Sequence, residues 1–316
     1  MTAFRRALPG VVVTCGGAAA VAMLASTAAT PWQAGGSMAI AAPRPKPAPA
    51  ARREIVIASE ALRDSEDRLP AQLAAFLRRV ETLAGWREGL LSGRTFVDPT
   101  EALAYVRATK PAFAILPVHQ WLEGRRTLDM TPIGRAVGIE GREPAYWGIA
   151  RKDNAKYEHV ELAPGLRLGG VDLHDHRWLS KVVFETNVIA EKHFKLRPMK
   201  TSADAVAAVT NGDVDVALLY ETEYRKHAER LQAGGDLVQV YSSGFLPPPP
   251  LLAGKAAGAA DRRKLLEILP KLCDGLPDGV SVHEACAHLG IMRIESGAAG
   301  SYDIIVEKYE GGPLRK

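Results

Sequence analysis

Three short clusters in this chain carry side chains able to do chemistry. His174-Asp175-His176-Arg177-Trp178 places two imidazoles, a carboxylate and a guanidinium side by side. Imidazole and carboxylate are common metal ligands, but one run of adjacent residues rarely supplies a tetrahedral set alone. Anion contact and a plain loop or helix cap therefore stand beside metal as readings. His283-Glu284-Ala285-Cys286-Ala287-His288 also holds ligand types. On a helix His283 and Cys286 share a face while His288 falls away from both, and the CxxCH of haem attachment is absent. The third cluster, Tyr220-Glu221-Thr222-Glu223, ends an apolar run. Ligands of open α/β sheets sit beyond the carboxyl ends of strands, which makes Tyr220, Glu221 and Glu223 cleft residues. The plainer alternative is a core tyrosine with solvated glutamates. There is no GxSxG elbow, GxxxxGKS/T loop or Gly-rich dinucleotide turn, and no nucleophile is paired with a base. Nothing in the sequence signals an enzyme or a bound cofactor.

These clusters need elements to place them. Residues 54–59 read as a short β-branched strand with Ser59 at its end. Residues 69–83 form an amphipathic helix, with Leu73, Phe76, Leu77 and Val80 on one face and Pro70 in the first turn. Phe96-Val97 reads as a second strand, and Asp98-Pro99-Thr100 opens a helix to Ala108. Residues 112–116 are a third, fully apolar strand, followed by Pro117, His119 and Trp121. Residues 132–152 are less regular, but 145–150 and 166–173 read as strands, with a helix over about 178–190. Residues 201–213 form a helix capped by Ser202 and ended at Asn211-Gly212-Asp213, and 214–220 a buried strand. Residues 237–241 add a strand, whereas Pro247 to Pro250 exclude helix and central strand. Helices follow at 261–272 and about 281–289. Alternating strands and helices imply parallel sheets covered by helices, and no 20–50-residue repeat points to a solenoid. The order fits two α/β halves joined near 145–153 and again near 243–250. Tyr146-Trp147, Trp121 and Trp178 stand at strand ends or crossings, where aromatics line clefts or fill cores.

Charge and termini narrow the function classes. The chain has 316 residues and a net charge of +4. Residues 1–53 hold six of the 40 basic residues and no acid, leaving 34 basic against 36 acidic residues, a balance of −2. The folded part thus lacks the basic excess that nucleic-acid binding needs. Arg5 and Arg6, the uncharged stretch from Ala7 to Pro43, and small residues near 26–28 and 39–41 read as an export signal over residues 1–41. An uncleaved membrane anchor is the competing reading. Residues 42–52 are a proline-rich, extended linker. Cys273 and Cys286 are the cysteines after that linker, and in an exported chain such a pair forms a disulfide or remains two buried thiols.

The order of elements over residues 54–310 resembles the type 2 periplasmic-binding-protein fold. More narrowly it resembles the phosphate/phosphite/phosphonate substrate-binding proteins of ABC transporters. The first strand and long helix, AFAILPVHQWLEG (112–124), SADAVAAVTNGDVDVALLYETEY (202–224) and LGIMRIESGAAGSYDIIVEKYE (289–310) carry the resemblance. It implies a two-lobed α/β fold, each lobe a mostly parallel sheet flanked by helices. Lobe 1 would span about 53–146 and 247–316, and lobe 2 about 147–246. It implies a monomeric, exported protein, periplasmic or extracytoplasmic, that closes on a small oxyanion for an ABC transporter permease, touching membrane at most through an uncleaved N-terminus. The family's Ser/Thr-rich anion turn is replaced here by HDHRWLSKVVFE (174–185). The residues expected to contact ligand are Ser59, His119, Tyr146, Trp147, His174, His176, Arg177, Ser180, Tyr220 and Glu221. Arg177, Ser180 and their helix start would hold the anion, and Glu221 would accept from a ligand hydroxyl or amine. The alternative is a degenerate binding domain acting as a sensor or interaction module.

Overall fold

The computed structural model describes residues 53–139, 141, 143–154, 163–185, 188–232, 235–275, 282–297 and 299–311. The expected export signal and linker at 1–52 lie outside the described residues. The chain opens with β1 (Arg53–Ala58), a 3₁₀ segment (Glu60–Arg68), α1 (Leu69–Ala84), β2 (Leu91–Phe96), α2 (Pro99–Thr109) and β3 (Phe113–Ile115). It continues through α3 (Val118–Leu128), β4 (Met130–Gly138), β5 (Tyr146–Arg151) and β6 (Arg167–Gly170). Next come α4 (His176–Trp178) with a π-helical turn (Leu179–Val183), α5 (Ala190–His193), β7 (Lys195–Pro198), α6 (Ser202–Asn211), β8 (Val216–Tyr220) and α7 (Glu221–Gln232). The chain closes with β9 (Leu237–Ser242), β10 (Pro250–Gly254), α8 (Ala259–Leu272), α9 (Glu284–Ala287), β11 (Ile291–Ser296) and α10 (Asp303–Glu310).

The strands make two sheets, ordered β11-β4-β10-β3-β1-β2 and β7-β6-β8-β5-β9. The expected parallel pairing holds for β2-β1-β3 and β7-β6-β8. The strands next to the crossings between sheets pair antiparallel, so each sheet is mixed. The chain leaves the first sheet after Gly138 and enters the second at Tyr146. The outward crossing therefore lies before the 145–153 stretch named from sequence, which is mostly β5 itself. The return runs between Ser242 and Pro250. The two crossings are stitched together: Ser243 N donates to Tyr146 O at 2.9 Å and Leu246 N to Pro144 O at 2.8 Å.

Several expectations need correction. Thr201, not Ser202, caps α6: its hydroxyl accepts from Asp204 N at 3.0 Å while the Asp204 carboxylate accepts from Thr201 N at 3.1 Å. Gly212 ends α6 at φ 79, a left-handed turn that glycine adopts without steric cost. Pro250 begins β10 between β3 and β4, in the middle of a sheet. The first residue of a strand can forgo its N–H, which is where proline is tolerated. β4 has no sequence alternation because Pro132 and Gly134 break it, and a register shift opposite Leu251/Leu252 absorbs them. The helix expected over about 178–190 starts at His176 and passes into the π turn, and Glu185 follows with φ 49. No helix among the described residues is long and apolar enough to cross a membrane.

α10 lies against both halves. Arg125 of α3 pairs with Glu310 at 2.7 Å. On the other side Tyr309 Oη donates to Asp175 Oδ2 at 3.0 Å, and Lys181 Nζ donates to Gly311 O. Tyr302 Oη donates to Pro248 O at 2.7 Å on the return crossing. Cys273 and Cys286 are joined as a disulfide linking the end of α8 to α9.

Candidate functional site

A cavity of about 60 Å³ lies where the ends of β1, β3 and β8 meet the start of β5. Strand order dictates part of its lining. Tyr146 and Tyr220 are directly opposite in the antiparallel β5/β8 pair, so both rings fall on one face, with centroids 5.4 Å apart. Ser59 follows β1, and Pro117, Val118 and His119 start α3 directly after β3. Asp172 and Trp178 close the far wall, and Thr222 and Glu223 enter from the first turn of α7.

The polar groups in this cavity are arranged unevenly. Tyr146 Oη donates to Asp172 Oδ2 at 2.7 Å. Burial, with the Asp172 charge beside it, pushes the Tyr146 phenol well above its ordinary range, so it stays a donor. His119 is 4% exposed. Its Nε2 is 3.3 Å from Asp172 Oδ1 but misaligned, which leaves a buried ring nitrogen without a hydrogen bond. The Trp178 indole N–H is buried at the same wall, beside the Tyr146 hydroxyl. Buried polar atoms are normally paired, so the unbonded His119 nitrogen on this small cavity marks a place where a ligand or water belongs. α3 has no side-chain cap and no acid in its first turn. Its start presents orphan backbone N–H groups and the positive end of an eleven-residue helix to the cavity. The start of α2 differs, because the Asp98 carboxylate already accepts from Thr100 N at 2.7 Å. Gln120 ties the two starts together, its amide facing Pro99 O and Thr100 N. The described residues lining the cavity include Asp172 and Glu223 but no lysine or arginine.

Of the ten residues expected from sequence, Ser59, His119, Tyr146 and Tyr220 line this cavity. Glu221 lines a neighbouring cavity and is 2% exposed. It accepts from Trp147 Nε1 at 2.5 Å and from Arg225 Nε at 2.8 Å. Trp147 points from the opposite face of β5 and stacks on Tyr224, with centroids 4.7 Å apart. His174 is exposed and reaches the site only through its ring contact with His119, at 6.4 Å. His176 is exposed. Arg177 is exposed and sits over the Tyr309 ring, 5.6 Å from its centroid. Ser180 is fully buried, donating to His176 O at 2.7 Å and accepting from Ala190 N at 2.9 Å. Asp175, Arg177 and Lys181 of the start at 174–185 are thus engaged around α10, and of this segment only Trp178 lines the cavity.

Asp172 was not singled out from sequence. It lies within the apolar-looking stretch 166–173, and its place beyond the end of β6 was the available signal. His283 caps α9, its Nδ1 accepting from Ala285 N at 3.1 Å. No metal-binding group of three or more His, Cys, Asp or Glu occurs among the described residues.

Comparison with known proteins places this geometry. The sequence model of the family described as ABC transporter, phosphonate, periplasmic substrate-binding protein matches residues 61–296, well over half of the chain. No curated protein matches the sequence. Among solved structures, the chain is similar to a binding protein component of an ABC phosphonate transporter from Pseudomonas aeruginosa. That match has 19% identity and a TM-score of 0.58, covering 78% of this chain and 82% of the other. It is also similar to PhnD1 from Prochlorococcus marinus in complex with methylphosphonate, at 12% identity and a TM-score of 0.59, covering 81% and 96%. A Xanthomonas citri protein bound to ATP matches at 12% identity with a TM-score of 0.62, covering 83% and 97%. These likenesses show the type 2 periplasmic-binding-protein fold. The family is one of binding proteins rather than enzymes, and this chain belongs to it: the periplasmic phosphonate substrate-binding proteins of ABC transporters.

Proposed function

We propose that this protein is exported through residues 1–41 and captures a small oxyanion, phosphonate- or phosphate-like, between two lobes for an ABC transporter permease. Lobe 1 would comprise about 53–146 and 247–316, and lobe 2 about 147–246, acting as a monomer. The observation that carries the ligand reading is the uncapped start of α3, which opens with the buried, unbonded His119 Nε2 onto the cavity that Ser59 and Tyr220 also line. Helix starts with free N–H groups favour anions. A phosphonate monoanion retains a P–OH, and an aminophosphonate an ammonium. Either would donate to Asp172, which stands beside His119, or to Glu223. A site needs about 10–15 Å³ per water, so the cavity suits roughly five heavy atoms, the size of methylphosphonate.

A second reading has its own support. The family's anion turn is replaced by a segment committed to packing, and no lysine or arginine lines the cavity among the described residues. A domain that has lost its ligand would act as a sensor or interaction module.

Thermal unfolding of the whole chain with methylphosphonate, phosphate and sulfate separates the two. A ligand that binds the folded state alone adds about 2.7 kcal/mol at one hundred times its Kd, a rise of several degrees in Tm. A rise with one oxyanion supports capture. No rise with any of the three at millimolar concentration removes the oxyanion reading and leaves the sensor reading in its place.

A further inference from the structure

A second cavity, of about 310 Å³, lies on the other side of the end of β1. The two cavities share Ala58, Ser59, Tyr220, Thr222 and Pro249 as a common wall. They differ in chemistry. The smaller holds the uncapped helix start, His119 and the two carboxylates. The larger is floored by Leu62, Ile115, Ala136 and Ile291, each 5% exposed or less, with Ile139 at its rim 52% exposed. Small-molecule sites usually occupy about 300–1,000 Å³ and are mainly apolar with a few placed polar groups. The smaller cavity alone falls well below that range, and the larger meets it.

We infer that the ligand is an organophosphonate whose oxyanion head occupies the smaller cavity while an alkyl or aryl substituent passes over Ser59 and Tyr220 into the larger one. This rests on the oxyanion reading of the smaller cavity. The bare oxyanion leaves the aliphatic floor unfilled. A chain of several methylenes covers it and removes apolar surface from water, worth about fourfold in affinity per methylene buried. Lys226 borders the larger cavity and pairs with Glu223 of the smaller at 3.0 Å, so the first turns of α7 form one continuous edge to both.

Calorimetric titration of the whole chain with methylphosphonate and butylphosphonate tests this. Butylphosphonate is expected to bind at least tenfold more tightly. Ala136→Leu, which fills the floor, and Ile139→Lys, at the exposed rim where folding is undisturbed, should each cost butylphosphonate fivefold or more. Both should leave methylphosphonate within twofold. Equal or weaker binding of butylphosphonate, with methylphosphonate still bound, overturns the second subsite while the oxyanion reading stands. If neither compound binds, the oxyanion reading fails and this inference falls with it.

Discussion

Two helix starts in this molecule differ in sequence, and the structure reverses the roles their sequences suggest. The segment from His174 is rich in polar side chains, and every motif-based argument for anion binding points there. Its two histidines and Arg177 are exposed, and its buried polar groups are already engaged within the fold. Asp175 caps Trp178 N at 2.9 Å and holds the Tyr309 hydroxyl, Ser180 bridges two backbone groups, and Lys181 reaches the Gly311 carbonyl. The start of α3 reads as PVHQW and carries no such signal, yet it is left uncapped at a cavity. A polar helix start is often polar because it caps itself, and capping consumes the donors a ligand would need. What matters is which start has donors to spare.

Removing Asp175 tests that contrast most severely. Asp175→Ala deletes a cap and strands the buried Tyr309 hydroxyl. Stability in chemical denaturation should fall by about 2–4 kcal/mol, while ligand affinity of the folded protein stays within about twofold. Unchanged stability, or a tenfold loss of affinity, would return the segment to the ligand.

A third start shows the same principle on a smaller scale. His283 caps α9 through a neutral Nδ1, and burial together with the nearby Arg79 charge holds its pKa below the ordinary range. A folded pKa below the unfolded one means the stabilisation is fully present above the ordinary histidine pKa of about 6.5 and is lost as pH falls from there through the lower folded pKa. His283→Ala should therefore be less stable than the parent by about 1 kcal/mol at pH 8. The difference should shrink toward pH 5. A difference constant across that range would show that the cap does not depend on a neutral ring.

Much of the fold was legible because its signals are local. The apolar runs of β1, β3 and β8 and the caps at Asp98 and Gly212 declare themselves within a few residues. β4, β10 and β11 did not, because Pro132, Gly134 and Pro250 are tolerated through a register shift and a strand's first position, which depend on partners far along the chain. The site divides in the same way. Ser59, His119, Tyr146 and Tyr220 follow from the rule that clefts form at strand ends. Trp147 and Tyr146 are neighbours whose faces differ, and choosing between them needed the register with β8. Arg177 and Ser180 looked free because the groups that engage them, Tyr309 and Ala190, are not adjacent in sequence.

The central claim is that the α3 start, not the segment at 174–183, receives the ligand. The most direct measurement is calorimetric titration of methylphosphonate into the parent protein, His119→Gln and Arg177→Ala, each checked for folding by its melt. His119→Gln should bind tenfold or more weakly, as expected for losing a hydrogen bond to a charged group worth about 1.5–3 kcal/mol. Arg177→Ala should bind within twofold of the parent. Loss of binding in Arg177→Ala with full affinity in His119→Gln would contradict the claim.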